Sequence, residues 1–491
     1  MRANSGKAVV IGSGPNGLAA AIVLAQAGLQ VEVREAEQQP GGAVRTMELT
    51  LPGFYHEFGS AVHPMAAASP FFSTLPLRDY GLEWVHSPAP LAHPFDDGTA
   101  ITLERDLDAA TEALAEDGEA WRELVSPMVD HWPDFADAIL HPWLRLPRHP
   151  FRMARFGLSA LMPATVLARK FRSRRTRALF AGLAGHSFLA LDEPASASFG
   201  VVLGALTHIA GWPIARGGSQ AITRALIASL NQLGGVVKTS SRVDSLDRSD
   251  GIDLALFDLV LCDLVPRELL RIAGERFTPS YRRALARYRH GPGAFKVDYA
   301  LSQPIPWRAA ECARAATLHL GGSIEEIALS EDAARHGRHS EWPFVLLSQP
   351  TLFDRSRAPE GRHIAWAYCH VPNGSTVDML PRLEAQIERF APGFRECVLA
   401  RSILGPAELE SMDANLVGGD IVGGAPELRQ LIFRPTWRQY ATPDRRIYLC
   451  SSSTPPGGGV HGMCGYNAAR LALQRLKVEP SSRRPSREAK S

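Results

Sequence analysis

Ala8-Val9-Val10-Ile11-Gly12-Ser13-Gly14-Pro15-Asn16-Gly17 is the stretch that decides the fold of this chain. An apolar run ends in glycines spaced Gly-x-Gly-x-x-Gly, a helix-like run follows from Leu18 to Ala27, and a second apolar run leads to an acid, Glu35. This order indicates a dinucleotide site, because the turn and the helix N-terminus present N–H groups to a pyrophosphate and the acid reaches a ribose hydroxyl. The nucleotide-binding residues predicted here are Gly12, Gly14, Pro15, Asn16, Gly17, Glu35 and Ala36.

The composition is that of an ordinary globular protein. The 491 residues suffice for two or three domain-sized cores. Apolar residues make up 45% of the chain and charged residues 21%, which are common values for folded proteins. The net charge of +2 argues against binding nucleic acid through bulk charge.

The cysteines predict neither a disulfide framework nor a metal site. All six are scattered, none forms Cys-x-x-Cys, and no His and Cys residues have the spacing of metal ligands. The first strand begins near Ala8 and leaves no room for a cleaved signal peptide, so we expect a cytoplasmic, reducing location. The longest uncharged run, residues 194–215, contains two prolines and three glycines and is interpreted as buried helix and turn rather than a membrane span.

Two segments after the second strand carry a family resemblance. Residues 39–46 read Gln-Pro-Gly-Gly-Ala-Val-Arg-Thr, and residues 51–64 include Gly59-Ser60-Ala61-Val62-His63. The first resembles a phosphate-side motif of glutathione-reductase-like flavoproteins, and the second resembles the phytoene-desaturase-like family, in its branch of pyridine-nucleotide-disulfide-oxidoreductase-domain proteins. The resemblance implies FAD as cofactor and places His63 near the isoalloxazine ring, with a loop histidine bonded to backbone as the alternative. The cofactor-binding residues that it implies are Gly41, Gly42, Arg45, Gly59, Ser60, Ala61 and Val62.

The resemblance returns at residues 209–243 and near the C-terminus. A Pro-x-x-x-Gly-Gly turn at 213–218 precedes a helix-like run and a short strand, after which Val243 is expected to touch the adenosine half of FAD. A strand at 446–450 then leads into a glycine run and a helix start, which place N–H groups against an anion or carbonyl. In the family this segment lies under the flavin pyrimidine, although Ser451 stands where the family has glycine and is expected to crowd the cofactor. The residues implied here are Ser452, Gly458, Gly459, Val460 and His461.

The strand predicted at residues 293–301 carries the strongest candidate for catalysis. Alternation puts Phe295, Val297, Tyr299 and Leu301 on a core face and Lys296 with Asp298 on the other. The pattern alone favours solvent for that second face over a polar cavity wall. Amine-oxidase-like flavoenzymes carry a lysine on the corresponding strand, which implies that Lys296 acts near flavin N5, with His63 and His461 shaping the ring environment.

A basic, apolar segment precedes these motifs. Between Asp137 and Asp192 there is no acid, while ten Lys or Arg side chains alternate with large apolar ones. Such a segment at 141–177 suits an anionic membrane surface or the entrance to a cavity for an apolar or acidic substrate. The alternative is a solvated helix face whose acidic partners lie elsewhere in the fold. The glycine-rich turn at residues 318–322 receives no role.

These observations predict an α/β fold: a Rossmann-like FAD-binding domain of glutathione-reductase type with an inserted α+β substrate domain that has a mixed or antiparallel sheet. We assign residues 1–80, 205–275 and 415–478 to the FAD-binding domain, 81–204 and 276–414 to the substrate domain, and 479–491 to a disordered tail. The resemblance implies an FAD-dependent oxidoreductase that moves a hydride from a C–H of a small apolar substrate to flavin N5, with reoxidation by dioxygen or a quinone. Three alternatives stay open: a flavin-dependent amine oxidase, an isomerase without net redox change, and a non-catalytic flavin-binding scaffold.

Overall fold

The computed structural model describes residues 6–142, 147–246 and 252–478. The predicted disordered tail at 479–491 lies outside the described residues, as do Trp143 and Arg145 of the basic segment. Two sheets, one parallel and one mixed, form the framework of the chain. They are built from sixteen strands and eighteen α-helices among the described residues.

The strands are β1 Lys7–Ile11, β2 Gln30–Arg34, β3 Thr46–Glu48, β4 Tyr55–Glu57, β5 Trp84–Val85, β6 Ala89–Pro94, β7 Ala100–Leu103, β8 Ile214–Ala215, β9 Val236–Lys238, β10 Leu259–Cys262, β11 Gly293–Leu301, β12 Ala315–Leu320, β13 Val345–Ser348, β14 His363–Val371, β15 Val398–Leu404 and β16 Ile447–Leu449. The helices are α1 Pro15–Gln26, α2 Pro64–Ala67, α3 Leu107–Ala113, α4 Gly118–Asp130, α5 Trp132–Ile139, α6 Pro150–Ala160, α7 Ala164–Leu167, α8 Arg174–Gly185, α9 Ala197–Ile209, α10 Gln220–Gln232, α11 Pro266–Ala273, α12 Pro279–Ala286, α13 Ile324–Arg335, α14 Leu380–Phe390, α15 Phe394–Cys397, α16 Pro406–Met412, α17 Leu428–Ile432 and α18 Met463–Val478.

The parallel sheet has five strands in the order β16-β10-β1-β2-β9. Alternate residues of its strands face opposite sides, so that Val10 packs in the core under α1, α10 and α18, whereas Val9 packs in the core under α11 and α12. Both faces are covered because parallel strands are joined by helices that must lie on the sheet. The strand, turn and helix predicted at residues 8–27 are confirmed as β1 and α1.

The mixed sheet has seven strands in the order β15-β11-β14-β13-β12-β6-β7, and all neighbours are antiparallel except β12 and β6. One face packs on α14 through Val297, Tyr299 and their neighbours, as the alternation in β11 predicts. The other face carries Lys296 and Asp298, which are both buried. The preference of the sequence pattern for solvent on that face is therefore wrong, because β4 packs against this part of the sheet and brings Nδ1 of His56 to 3.7 Å from Oδ1 of Asp298.

The turn predicted at 318–322 is wrong for residues 318–320, which belong to β12, and only Gly321 and Gly322 turn the chain. The uncharged run at 194–215 is confirmed as a mostly buried helix, α9, followed by a turn. Residues 81–204, which are assigned to the substrate domain, contribute β6 and β7 to the mixed sheet.

The two sheets are each assembled from separated parts of the sequence. The parallel sheet takes its strands from 7–34, 236–262 and 447–449, and the mixed sheet from 89–103 and 293–404. We keep the domain boundaries given above as proposals. Within the described part of the chain, no helix combines the length and apolar character needed to cross a membrane.

Candidate functional site

A cavity of about 590 Å³ collects the predicted site residues. It runs from the carboxyl ends of β1 and β10 to the buried face of the mixed sheet, where Lys296 lines its wall. Every predicted site residue lines this cavity except Gly17, Gly41 and His63. Segments more than 400 positions apart in sequence, such as Gly12 and His461, therefore face one space.

The turn between β1 and α1 leaves no room for side chains. A Cβ on Gly17 would lie 2.2 Å from the carbonyl oxygen of Gly12, and one on Gly14 would lie 2.7 Å from Oδ2 of Asp263. Gly12 has a φ of 98°, in the left-handed region that favours glycine. The glycines thus bring the N-terminus of α1 to the cavity wall, where Oδ1 of Asn16 is buried without a protein partner among the described residues.

Asp263 is a site residue that the sequence analysis missed. It follows β10, lines the cavity, and accepts a hydrogen bond of 2.8 Å from the Gly17 N–H. Burial raises the pKa of Asp263 to about 7, and the nearby carboxyl of Asp413 contributes to the rise. The carboxyl ends of neighbouring parallel strands meet at one edge of a sheet, so the position of Asp263 directly after a strand was an available signal.

Glu35 lies at the end of β2, as the motif predicts. Its Oε2 accepts a 2.9 Å hydrogen bond from the Ser13 N–H, and its Oε1 accepts one of 3.0 Å from the Glu37 N–H. Ala36 and Val243 line the same end of the cavity. The acid is held by backbone donors at the position where a ribose hydroxyl would be expected.

The second glycine motif supports the first turn. Gly41 lies behind the wall and donates its N–H to Oγ of Ser13 at 3.1 Å, while a Cβ on Gly42 would lie 3.2 Å from Cα of Gly14. Arg45 is buried and donates to the carbonyls of Gly42 and Met412 at 2.7 and 3.0 Å. These contacts tie the loop after β2 to the turn after β1.

His63 lies outside the cavity wall, although Val62 and Pro64 line it. Its ring is buried, its Nδ1 is 3.4 Å from Oγ of Ser60, and its centroid is 6.0 Å from that of Trp84. Burial lowers the pKa of His63 to about 3, so the imidazole is neutral at physiological pH. The structure places this candidate behind the segment 59–62 rather than in the cavity.

The C-terminal glycine loop forms another part of the wall. Gly458, Gly459, Val460 and His461 line the cavity, and α18 starts directly after them. Nδ1 of His461 accepts a 3.0 Å hydrogen bond from the Met463 N–H, and burial lowers the pKa of this ring to about 4. His461 is therefore a neutral, fixed part of the loop.

Ser451 does not crowd the cavity, contrary to the expectation from the sequence. Its Oγ donates a 2.8 Å hydrogen bond to the carbonyl of Leu264, and it is absent from the cavity lining, to which Ser452 contributes. The side chain therefore joins the ends of β16 and β10 instead of entering the cofactor space.

Lys296 and Asp298 form a buried ion pair on β11. Burial lowers the pKa of the Lys296 ammonium and raises that of the Asp298 carboxyl to about 6. Their mutual attraction opposes both shifts. Lys296 reaches the cavity, whereas Asp298 holds it from behind.

A second set of buried charges lies behind this pair. Nδ1 of His56 is 3.7 Å from Oδ1 of Asp298, and Arg357 forms a buried ion pair with Glu57 at 2.6 Å. Burial and the cations Lys296 and Arg357 lower the pKa of His56 to about 3. The carboxylate of Asp298 thus has a cation on one side and a neutral imidazole on the other.

The half of the cavity beyond Lys296 is mainly apolar and aromatic. Its lining residues come from α6, α8, α9, β13, β14 and their connections. They include Phe156, Leu161, Phe188, Phe199, Val202, Leu203, Trp212, Leu346, Trp366 and Tyr368. This half suits an apolar molecule that lies against the Lys296 wall.

Two further residues escaped the sequence analysis. The side-chain amide of Asn415 spans the loop after β10 by accepting from the Val265 N–H at 2.8 Å and donating to the Asp263 carbonyl at 3.0 Å. Arg434 is buried, lines the cavity, and donates to the carbonyl of Gly423 at 3.0 Å. Both residues lie far from any motif in sequence and carry no local signal.

Comparisons with known proteins agree with this geometry. The profile of the family "Flavin containing amine oxidoreductase" matches residues 16–369. The chain is 28% identical to the pyridine nucleotide-disulfide oxidoreductase domain-containing protein 2 of Mus musculus, covering 96% of this chain and 94% of that protein. It is 27% identical to the phytoene dehydrogenase of Streptomyces griseus, covering 74% and 73%. The solved structure of cyclohexylamine oxidase from Brevibacterium oxydans is similar in fold, with a TM-score of 0.60, 15% identity, and coverage of 96% and 100%.

Proposed function

Because the chain belongs to the flavin-containing amine oxidoreductase family and is an FAD-dependent oxidoreductase, we propose that it oxidises an apolar organic substrate at a C–H bond. The substrate loses a hydride and a proton, and becomes a desaturated or otherwise oxidised product. A bound FAD would supply the hydride acceptor, and dioxygen or a quinone would finally take up the two electrons together with the protons.

One observation supports this proposal above the others: Lys296 lies on a cavity wall that continues into the apolar half. A buried cation at that point stabilises negative charge on the group beside it, and the dry surroundings strengthen the effect. The apolar lining excludes water from the same place. Both properties suit removal of hydride from a substrate that has few polar groups.

The chain supplies a fitting place for FAD. The interlocked glycines at 12–17 and 41–42 would hold the pyrophosphate, Glu35 the ribose, and the loop at 458–461 the flavin ring. The Oδ1 of Asn16, which has no partner among the described residues, leaves an acceptor free at this end of the cavity, to which a hydroxyl of the nucleotide would donate. A relative that is 25% identical over 95% of this chain is a phytoene desaturase from Pseudescherichia vulneris, which supports an apolar substrate class for this chain as well.

An amine substrate is less well supported. The rings of Trp366 and Tyr368 contact each other at 5.0 Å and 65°, so they do not stand apart as two walls around an amine. An isomerase or a non-catalytic scaffold would cause no net oxidation of a substrate, whereas our proposal requires one. Anaerobic mixing separates these outcomes, because only a net oxidation bleaches the flavin absorbance at 450 nm in proportion to the substrate consumed.

The test of this function is therefore an anaerobic screen. The purified holoprotein is mixed with isoprenoid hydrocarbons, long-chain alkenes and primary amines, and the flavin absorbance is followed. We expect bleaching with one or more apolar compounds and none with amines. Bleaching by amines alone would contradict the proposal in favour of an amine oxidase.

We also propose that the substrate enters from an anionic lipid surface past α6. Phe151 and Leu158 on this helix are 90% and 75% exposed, while Phe156 and Ala160 line the cavity. Arg155, Arg169, Lys170 and Arg174 have no acidic partner within the described ranges. Exposed apolar side chains beside unpaired cations are what a surface of anionic headgroups attracts.

Part of the basic segment supports the alternative to a membrane surface, which is a solvated helix face whose acidic partners lie elsewhere in the fold. Arg152 pairs with Asp134 at 2.7 Å, Arg148 with Asp137 at 3.7 Å, and Arg175 with Asp97 at 2.8 Å. These cations find acids outside the acid-free stretch. The membrane proposal therefore rests on α6 and the unpaired side chains rather than on the number of basic residues.

A further inference from the structure

Two polar side chains, one of them without a protein partner within the described residues, lie at the end of the apolar half of the cavity that is remote from Lys296. Thr317 and His186 both line the cavity there. Oγ1 of Thr317 is buried and has no hydrogen-bond partner in the described chain. A buried hydroxyl without a partner is costly, so its place on a cavity wall points to a ligand.

The register of the mixed sheet fixes how far this end is from Lys296. Asp298 is paired with Trp366, Trp366 with Ser348, and Ser348 with Thr317, so these residues form one row across β11, β14, β13 and β12. Residues paired in this way share a face of the sheet, and neighbouring strands are about 4.8 Å apart. Thr317 therefore lies about 14 Å from the Lys296–Asp298 pair, three strand spacings away.

His186 belongs to the same end of the cavity because its partner is on the same strand as Thr317. Nε2 of His186 is 3.0 Å from Nε2 of His319, which lies two residues after Thr317 on the same face of β12. His319 is fully buried, whereas His186 is half-buried because its ring borders the cavity. Burial lowers the pKa of His186 to about 3 and that of His319 well below its usual value, so both rings are neutral.

The packing around His319 determines which ring donates. A Cβ built on Gly182 would lie 2.6 Å from Nδ1 of His319, so a Cα hydrogen of Gly182 points at that nitrogen. A lone pair accepts such a contact and an N–H does not. The proton of His319 is therefore on Nε2 and is donated to Nε2 of His186, which leaves the proton of His186 on Nδ1.

We propose that His186 and Thr317 bind a neutral oxygen function of the substrate, a carbonyl or a hydroxyl, at the end remote from the reacting carbon. Nδ1–H of His186 and the hydroxyl of Thr317 are the donors, and His319 is the positioning residue that fixes the tautomer. The inference rests on the proposed oxidation of an apolar substrate. It narrows the class of substrate from apolar compounds in general, hydrocarbons included, to apolar compounds that carry an oxygen. A carboxylate is disfavoured because Ser187, Phe188, Trp212 and Leu346, the other lining residues of this end, carry no charge.

The test uses two probes of the same shape on the full-length holoprotein. In 2-undecanone an oxygen stands where 2-methyl-1-undecene has a methylene group. Binding is measured by quenching of tryptophan fluorescence, since Trp212 and Trp366 line the cavity. We expect the ketone to bind about tenfold more tightly than the alkene, as hydrogen bonds to a dry site provide.

Thr317→Val and His186→Phe should each reduce this preference severalfold while leaving the affinity for the alkene unchanged. Thr207→Val is the matched control, because Thr207 is equally buried but bonds to the Leu203 carbonyl and does not line the cavity. Equal affinity of the wild type for the two probes would overturn the inference, as would the absence of binding by either. Because fluorescence reports on the cavity whether or not flavin is reduced, this result is separate from the outcome of the anaerobic screen.

The tautomer of His186 can be measured separately by NMR spectroscopy. The imidazole ¹⁵N chemical shifts of His186 should show a protonated Nδ1 in the wild type, and His319→Phe should release this constraint without changing the protonation of His461. A wild-type His186 with its proton on Nε2 would overturn the assignment of the donor. A structural role of His319 alone would not predict this spectroscopic change.

Discussion

Lys296 and Asp298 lie two residues apart on one face of β11, and their side chains form an ion pair that is buried on all sides except where Lys296 meets the cavity. Alternating residues of a strand share a face, so the pair needs no turn or loop to hold it. Asp298 keeps a cation in a place that would otherwise favour a neutral amine.

Lys296→Met should slow anaerobic flavin reduction by the substrate by about 10²-fold or more, the usual effect of removing one stabilising group from a dry active site. FAD should remain bound, because the nucleotide contacts lie elsewhere. Stopped-flow absorbance gives the rate. Lys7→Met, a change at an exposed lysine on β1, is the control and should have no effect. An unchanged rate in Lys296→Met would remove this residue from the reaction.

The affinity for FAD should depend on pH through Asp263. Its pKa is raised to about 7, so the carboxyl is protonated below that pH and ionised above it. The diphosphate of bound FAD repels an ionised carboxylate and therefore raises the pKa of Asp263 further. The Kd for FAD should rise with pH, in total by about tenfold for each unit of that further rise in pKa. FAD titrations of the apoprotein between pH 5.5 and 8.5 measure the slope. Asp263→Asn should give a flatter curve, and an equal slope in this variant would contradict the assignment.

Gly465→Ala should destabilise the protein strongly. The Cβ would lie 1.8 Å from the carbonyl oxygen of Asn16, where α18 crosses α1, so one of the two helices must shift. We expect a loss of at least about 3 kcal/mol in the free energy of unfolding. Gly157→Ala is the control, because no atom lies within 4 Å of its Cβ and alanine favours a helix. Urea denaturation of both variants checks the prediction, and equal stability would contradict the close crossing.

Binding to anionic vesicles should depend on the exposed apolar side chains of α6. We expect the wild type to sediment with phosphatidylglycerol vesicles at low salt and to be released at high salt. The double variant Phe151→Ser, Leu158→Ser should bind about tenfold less, while its flavin content stays unchanged because neither side chain lines the cavity. Equal binding of the variant and the wild type to these vesicles would contradict the proposal that α6 contacts the membrane.

Much of the fold was predictable because its signals are local. The glycines at 12, 14 and 17, the apolar strand before them and Glu35 lie within thirty residues, and each contributes to one turn of the backbone. The two faces of β11 were also separable by alternation. Alternation could not predict that Lys296 and Asp298 are buried, because His56 on β4, which comes from a distant part of the chain, lies against the pair.

The site was less predictable than the fold. Asn415 and Arg434 reach the cavity through tertiary contacts, and no motif surrounds them. His63 stands next to a cavity-lining segment, yet its own ring turns into the core beside Trp84. The turn expected at residues 318–322 includes His319, whereas pairing with β13 extends the strand through Leu320. In each case long-range packing decides the outcome.

The most direct test of the account is the absorption spectrum of the freshly purified protein, followed by identification of the cofactor released by acid. We predict flavin bands near 450 nm and FAD, free in the supernatant, at about one per chain. Cys450 does not line the cavity, so it is not placed to hold flavin covalently. Protein that contains no flavin and takes up none when FAD is added would contradict the central claim that this cavity is the active site of an FAD-dependent oxidoreductase.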